Sequence, residues 1–169
     1  VSPADKVKNV KEPKVIIRTF DNGEIKRMVD CYSGYNFQDI RNKAVIVMFF
    51  ETGVRLSELT GLKESDIHDN YILIRGKGEK ERVVPKSPIL AKCLMKYCRV
   101  RDSYFDGKRR FETVFVSRYG TPISNSFVDK LVKQAGAYAK VSEDIRVSPH
   151  TLRHCFAHQQ IKNGLDIYS

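Results

Sequence analysis

Apolar residues recur along this chain in blocks whose spacing changes, and each change marks an element. Ile25, Met28, Val29 and Tyr32 fall at i, i+3, i+4 and i+7, the stripe of an amphipathic helix. Asp21 followed by Glu24 has the form of a capping box at its start, and Gly34 stands at its end. A second helix is predicted from about Phe37 to Thr52. Its middle, Ala44 to Phe50, is apolar without a break, which places it at the centre of the fold with every side covered. Gly53 stops it, and a short third helix carries Arg55, Leu56, Glu58 and Leu59.

The spacing then changes. Tyr71-Ile72-Leu73-Ile74-Arg75 reads as a strand, Gly76-Lys77-Gly78-Glu79-Lys80 as its turn, and Glu81-Arg82-Val83-Val84-Pro85 as the returning strand. Ser87-Pro88 caps another helix, with Ile89, Leu90, Cys93, Leu94 and Tyr97 on one face. Val114-Phe115-Val116 is a candidate third strand. Ser124 caps a helix with Phe127, Val128, Leu131 and Val132 inward. A last helix runs from about Pro149 to Asn163, with Ser148 before it and Gly164 as its C′ residue. The fold class is therefore mostly α with a small antiparallel β-sheet (α+β). Residues 1–18 lack helical periodicity and read as an interdomain linker, with 19–169 as one domain.

Composition narrows the partner. The chain has 169 residues, 41% of them hydrophobic, enough for one domain with a core. Lysine and arginine number 30 against 20 acidic residues, a net charge of +10. Such a surplus points to a polyanion, for which nucleic acid is the usual identity. No apolar run is long enough to span a bilayer, and the N-terminus has no secretory pattern, so the reading is cytoplasmic with no membrane partner. Cys31, Cys93, Cys98 and Cys155 are irregularly spaced with no CxxC, which suits reduced, mostly buried thiols.

Three segments carry candidate chemistry. Ser148-Pro149-His150-Thr151-Leu152-Arg153 sets His150 and Arg153 at i and i+3, on one face at the start of a helix. An arginine fork, a titratable ring and a helix N-terminus together suit a phosphate. Arg55 lies at the junction of two helices with Glu58 three residues on, where Glu58 can orient the arginine. Taken alone, this reads as an ordinary surface pair of small worth. Lys77 sits between two glycines at a hairpin tip, positioned to reach a nucleic-acid groove or simply to be solvated. His150, His154 and His158, at i, i+4 and i+8, are spaced for a metal, but no HExxH glutamate is present and Arg153 would place a fixed cation beside the site, so metal binding is not expected.

In order along the chain, TGVRLSELTGL, IRGKGEKERVVP and SPHTLRHCFAHQQIKNG resemble the tyrosine recombinase (phage integrase) family. The resemblance covers nearly everything from about Phe20 onward and implies that family's catalytic-domain fold. It implies that Arg55 and Arg153 are catalytic arginines that clamp the non-bridging oxygens of a scissile phosphate. It makes Lys77 the general acid for the 5′-hydroxyl leaving group, His150 an aid to proton transfer, and Glu58 a support for the first arginine. It implies duplex DNA as partner, a tetramer of the full-length protein on DNA, and no metal or other cofactor. Fixed guanidinium groups would take the role that metals play elsewhere.

The sequence also departs from the family pattern, which has a further His or Trp and then a nucleophilic tyrosine well downstream of HxxR. Tyr168 is the sole tyrosine after Arg153 and lies too close, so it reads as structural. The expectation is a catalytic domain incomplete at its C-terminal end, with no nucleophile in this chain and with cleavage belonging to a longer parent. Two alternatives stay open: a non-catalytic DNA-binding protein of the same fold, and a type IB topoisomerase.

Overall fold

The computed structural model describes residues 18–162. Residues 1–17 and 163–169, which include most of the expected linker, the expected helix end at Asn163 and Gly164, and Tyr168, lie outside the described residues. Helices α1 (Asn22–Asp30), α2 (Phe37–Thr52), α3 (Leu56–Thr60), α4 (Pro88–Tyr104), α5 (Asn125–Tyr138) and α6 (Pro149–Lys162) surround one hairpin, β1 (Tyr71–Arg75) and β2 (Glu81–Pro85). The architecture is mostly α with a two-stranded antiparallel sheet, as the sequence pattern predicts. Among the described residues no helix is long and apolar enough to cross a membrane.

α2 is the axle. Asn36 caps it by accepting the Asp39 N–H at 2.8 Å, and Ala44, Val45, Ile46, Met48 and Phe49 are fully buried around its circumference. It packs against α4 on one side and α6 on another, with α1 and α5 completing the layer. Gly53 ends it in the left-handed conformation, φ 63°, with its N–H on the Phe49 carbonyl at 3.0 Å. No other residue suits this position. A Cβ built there would lie 2.2 Å from Cδ1 of Phe156, which packs against this turn from α6.

α1 begins with the capping box expected of Asp21 and Glu24, closed by hydrogen bonds of 2.7 and 3.1 Å. The buried Glu24 carboxylate also accepts the Ser142 N–H at 3.1 Å, so a local cap doubles as a tie to the loop before α6. α1 ends at Asp30, earlier than the apolar stripe suggests. Tyr32 lies beyond it, and its hydroxyl donates to the Leu131 carbonyl on α5 at 2.8 Å. Ser87 caps α4 and Ser124 caps α5, each accepting the N–H three residues on at 3.1 Å. On α4 the buried row is Leu90, Leu94, Tyr97 and Arg101. Ile89, expected inward, points to solvent and is 66% exposed, because the row that faces α2 starts one residue later.

The segment Val114-Phe115-Val116 is fully buried but joins no sheet, making only isolated bridges at its flanks. Neighbouring backbone meets part of it: the Val114 N–H donates to the Leu62 carbonyl at 2.8 Å and the Phe115 carbonyl accepts from the Ile123 N–H at 3.4 Å. Side chains meet the rest. The Val114 carbonyl accepts from the Tyr97 hydroxyl at 2.8 Å and from Arg101 Nη1 at 3.0 Å. The Val116 carbonyl accepts from Arg41 Nη1 at 3.1 Å, and its N–H donates to Tyr97. Buried backbone must be paired, and here two buried arginines and a tyrosine complete what the Leu62 and Ile123 backbone begins. Arg41 also stacks on the Phe127 ring, 4.7 Å from its centroid, and Arg101 pairs with Glu64. All four cysteines carry free thiols, and burial pushes that of Cys155 up to about 11.

The Gly53–Phe156 contact gives a test of how α2 and α6 are joined. Gly53→Ala combines a left-handed alanine with overpacking against an aromatic ring. It should cost about 2–4 kcal/mol in urea unfolding, read from a lower midpoint at unchanged slope. A variant as stable as the parent would show that this turn is not held by close packing.

Candidate active site

α3 starts at the residue that follows the α2 stop. Gly53 reverses the chain, Val54 is buried, and Arg55 becomes the extended N-cap residue of α3 with its side chain exposed. Glu58 fixes this turn from below. Its carboxylate accepts the Arg55 N–H at 2.8 Å while the side chain is 97% buried, with 3% exposed.

The second arginine comes from α6. Ser148 caps that helix, its hydroxyl accepting the Thr151 N–H at 3.3 Å, and Pro149 occupies the first helical position. Leu152 and Cys155 face inward against the core, which turns His150 and Arg153 outward on the opposite side. Arg55, His150 and Arg153 all line one cleft of about 920 Å³, with His154, Arg146 and Asp129. Arg55 also lines an adjoining cleft of about 430 Å³, whose far wall is Lys77, with Arg75, Gly76 and Glu58. The structure thus brings Arg55 to the boundary between His150 and Arg153 on one side and Lys77 on the other.

The electrostatics of the larger cleft are one-sided. Partial burial lowers the Arg153 guanidinium from its usual range, and the neighbouring Arg55 pushes it further the same way. Among the described residues neither the Arg55 nor the Arg153 side chain has a carboxylate partner, and Asp129 is paired with Lys133 at 2.9 Å. Two guanidinium groups held near one another, with neither bonded to a carboxylate, form a seat for an anion with several oxygens. Chemically, the arrangement can neutralise charge on a phosphoryl group and offer N–H donors to it from more than one direction.

Two placements were not foreseen. Glu58 does not hold the Arg55 guanidinium. Its two oxygens are taken by Arg82 on β2, at 2.8 and 2.9 Å, and it positions Arg55 only through the backbone. Burial pushes the Glu58 carboxyl up, but the hydrogen bonds from Arg82 and from the Arg55 N–H outweigh it and leave it below the usual carboxylate range. The second is a contact between His150 and His154, whose Nε2 atoms lie 2.9 Å apart with the rings edge to face. His158 is exposed and takes no part. Among the described residues no three His, Cys, Asp or Glu side chains are grouped to hold a metal ion. The Arg82 pairing had a sequence signal. A five-residue turn after Arg75 sets Arg82 opposite Ile74, on the inward face of the hairpin. The i, i+4 spacing makes the two histidines neighbours on the helix, but it does not say that their rings meet at Nε2.

Because the folded state lowers the Glu58 carboxyl, the stability it supplies is fully present above the unfolded value of about 4.3 and is lost as pH falls through the folded one. Glu58→Gln should therefore destabilise the domain by about 2 kcal/mol at pH 7, discounted for the half-exposed Arg82. The gap between parent and variant should close as pH falls below about 4. Denaturant unfolding of both proteins across pH 3–7 checks this, and a gap independent of pH would contradict it.

Comparison with known proteins places these residues in a family. Residues 18–169 match the phage integrase family. The tyrosine recombinase XerD of Halalkalibacterium halodurans is 33% identical over 172 residues, covering 99% of this chain and 57% of the relative. The tyrosine recombinase XerC of Thermodesulfovibrio yellowstonii is 32% identical over 172 residues, covering 99% of this chain and 56% of the relative. The chain spans about half the length of the curated relatives it matches. The crystal structure of XerA recombinase superposes with a TM-score of 0.76 at 28% identity, over 93% of this chain and 53% of that one. The lambda integrase catalytic core shares the fold, with a TM-score of 0.66 at 19% identity, over 88% of this chain and 85% of that one. With a match that takes in α1 to α6, the hairpin and both clefts, the chain belongs to the phage integrase family of tyrosine recombinases.

Proposed function

We propose that this chain is the catalytic domain of a site-specific DNA recombinase, which in the full-length protein cuts and rejoins duplex DNA through a 3′-phosphotyrosyl intermediate. The observation that carries this reading is the convergence of Arg55, His150 and Arg153 on one cleft that adjoins Lys77. Binding DNA requires positive surface but not this set of four on three separate segments. The net charge of +10 suits a duplex partner.

In this reading the scissile phosphate sits between Arg55 and Arg153, whose N–H groups meet its non-bridging oxygens. A tyrosine hydroxyl attacks phosphorus, the P–O5′ bond breaks, and negative charge builds on the oxygens the arginines already face. Fixed donors stabilise that charge without reorganising, each worth roughly 10²–10³ in rate. Lys77 passes a proton to the departing 5′-oxygen. His150, its Nε2 atom against that of His154, assists proton transfer at the phosphate. The phosphotyrosyl bond conserves the energy of the diester, so a 5′-hydroxyl attacking it restores the strand with no metal and no energy source. We assign the nucleophile to a tyrosine other than Tyr168 in the full-length protein, and we propose that four copies act together on DNA in the cytoplasm.

Two measurements test this. On a nicked suicide duplex the full-length protein should form a covalent 3′-phosphotyrosyl adduct. Arg153→Ala should slow its formation by about 10²-fold or more. No adduct with the parent protein would leave only a DNA-binding protein of this fold. Separately, the domain should bind duplex DNA with a strong salt dependence. For about five neutralised phosphates, doubling the salt should weaken binding roughly twenty-fold, and affinity indifferent to salt would reject a phosphate-led interface.

A further inference from the structure

A general acid on a hairpin tip is only as well placed as the loop beneath it. Lys77 is exposed, and its loop is a single 3₁₀ turn (Lys77–Glu79) containing two left-handed residues, Gly78 and Glu79. The Gly76 N–H donates to the Lys80 carbonyl at 2.6 Å, which closes the loop on itself but ties it to nothing else. A 1 Å misplacement of a reacting group can cost about 10²-fold in rate, so something must fix this loop against Arg55.

The tie runs through Arg82. It stands opposite Ile74 in the hairpin register and shares the face on which Ile74 is buried. From there its two Nη atoms reach both oxygens of Glu58, at 2.8 and 2.9 Å. The same carboxylate holds the Arg55 N–H at 2.8 Å. A Cβ built on Gly76, the residue before Lys77, would lie 3.7 Å from Glu58 Oε1, so the loop starts directly over this pair. One buried carboxylate therefore bonds the backbone of Arg55 and the return strand of the hairpin, and lies close beneath the root of the Lys77 loop. A second grip, Arg75 on the buried Asp66 at 3.0 Å, anchors the hairpin to the turn at 64–66. The hydrogen bonds of Arg75 reach Asp66 and Glu81, not the Arg55 turn.

We propose that Arg82 is a positioning residue for the acid step. Through Glu58 it sets Lys77 relative to Arg55 and hence to the phosphate. The inference rests on the reading of Lys77 as the acid that gives its proton to the 5′-oxygen as the P–O5′ bond breaks and the tyrosyl O–P bond forms. Arg82 itself touches no reacting atom. A bidentate fork fixes both distance and rotation, which a lysine at the same place would not.

Sulfur substitution separates positioning of the acid from general damage. A substrate with sulfur at the 5′-bridging position releases a thiolate, whose conjugate acid has a pKa of about 8.5, and so needs no proton from the enzyme. Single-turnover cleavage by the full-length protein is measured on oxygen-bridged and sulfur-bridged suicide duplexes. Arg82→Gln should slow the oxygen substrate about tenfold or more and leave the sulfur substrate within about twofold of the parent, the pattern also expected of Lys77→Ala. Arg82→Lys should fall between parent and Arg82→Gln, and it carries the test if Arg82→Gln does not fold, as judged by thermal melting. Arg153→Ala, slow on both substrates, is the contrast. Equal slowing of both substrates by the Arg82 variants, or no slowing of either, would overturn the proposal. A parent protein that cleaves neither substrate would instead sink the recombinase reading. Unrescued Lys77→Ala beside an active parent would sink the acid assignment.

Discussion

A carboxylate taken out of water must be met by donors, and Glu58 meets them from two segments distant in sequence. One oxygen takes the N–H of Arg55 at the mouth of α3, and both take the fork of Arg82 from β2. Leaving either donor out would strand charge in a site that is 97% covered, at a cost of several kcal/mol. The helix turn and the hairpin are thereby committed to one relative placement. Everything proposed for the phosphate site presupposes that placement, since Arg55 lies on one side of it and Lys77 on the other.

The other half of the site is joined by packing. Arg153 is far from Arg55 in sequence, yet the two meet because α6 lies against α2. The contact is close where it matters most. Phe156, three residues beyond Arg153, fills the space a side chain at Gly53 would need, two residues before Arg55. The left-handed stop of α2 thus does two jobs with one missing Cβ: it reverses the chain so that Arg55 faces out, and it lets the helix bearing His150 and Arg153 come down onto that turn. Apolar packing on the inner face of α6, through Leu152 and Cys155, leaves its polar face free for the cleft.

How much of this could be read in the sequence depends on the range of the interaction. Local rules performed well: the capping serines at 87 and 124, the box at Asp21 and Glu24, the glycine stop at 53 and the hairpin all form where their residues stand. The four residues with proposed roles were found by motif, and the clefts gather them. What escaped was set by partners distant in the chain. Val114 to Val116 has the composition of a strand, but Tyr97, Arg101 and Arg41 take its Val114 and Val116 carbonyls, and only scattered backbone bonds to Leu62 and Ile123 remain. Ile89 fits an apolar stripe on α4, but the direction of the stripe is chosen by α2, which takes the row that begins at Leu90. Sequence distance puts Glu58 with the nearer arginine, Arg55, rather than with Arg82. The structure reverses this, since the Arg55 guanidinium faces the open cleft while Arg82 enters from the inward face of the sheet.

That reversal has a physical logic. An acidic residue three positions after an arginine would, if it paired with it, neutralise the cation and turn its fork away from an incoming phosphate. By spending Glu58 on Arg82, the fold keeps Arg55 fixed through its backbone and its charge unspent. The cost is visible at Arg153, where burial and the nearby Arg55 both work against the charged form. Like charges held near one another in a partly covered cleft repel, screened by the water that still reaches them. Repulsion of that kind is relieved when a phosphate enters, and relieved further as negative charge grows on its oxygens. A site held in this way opposes its own assembly slightly, and the rigid frame of α2, α6 and the Glu58 tie is what keeps it assembled until the anion arrives.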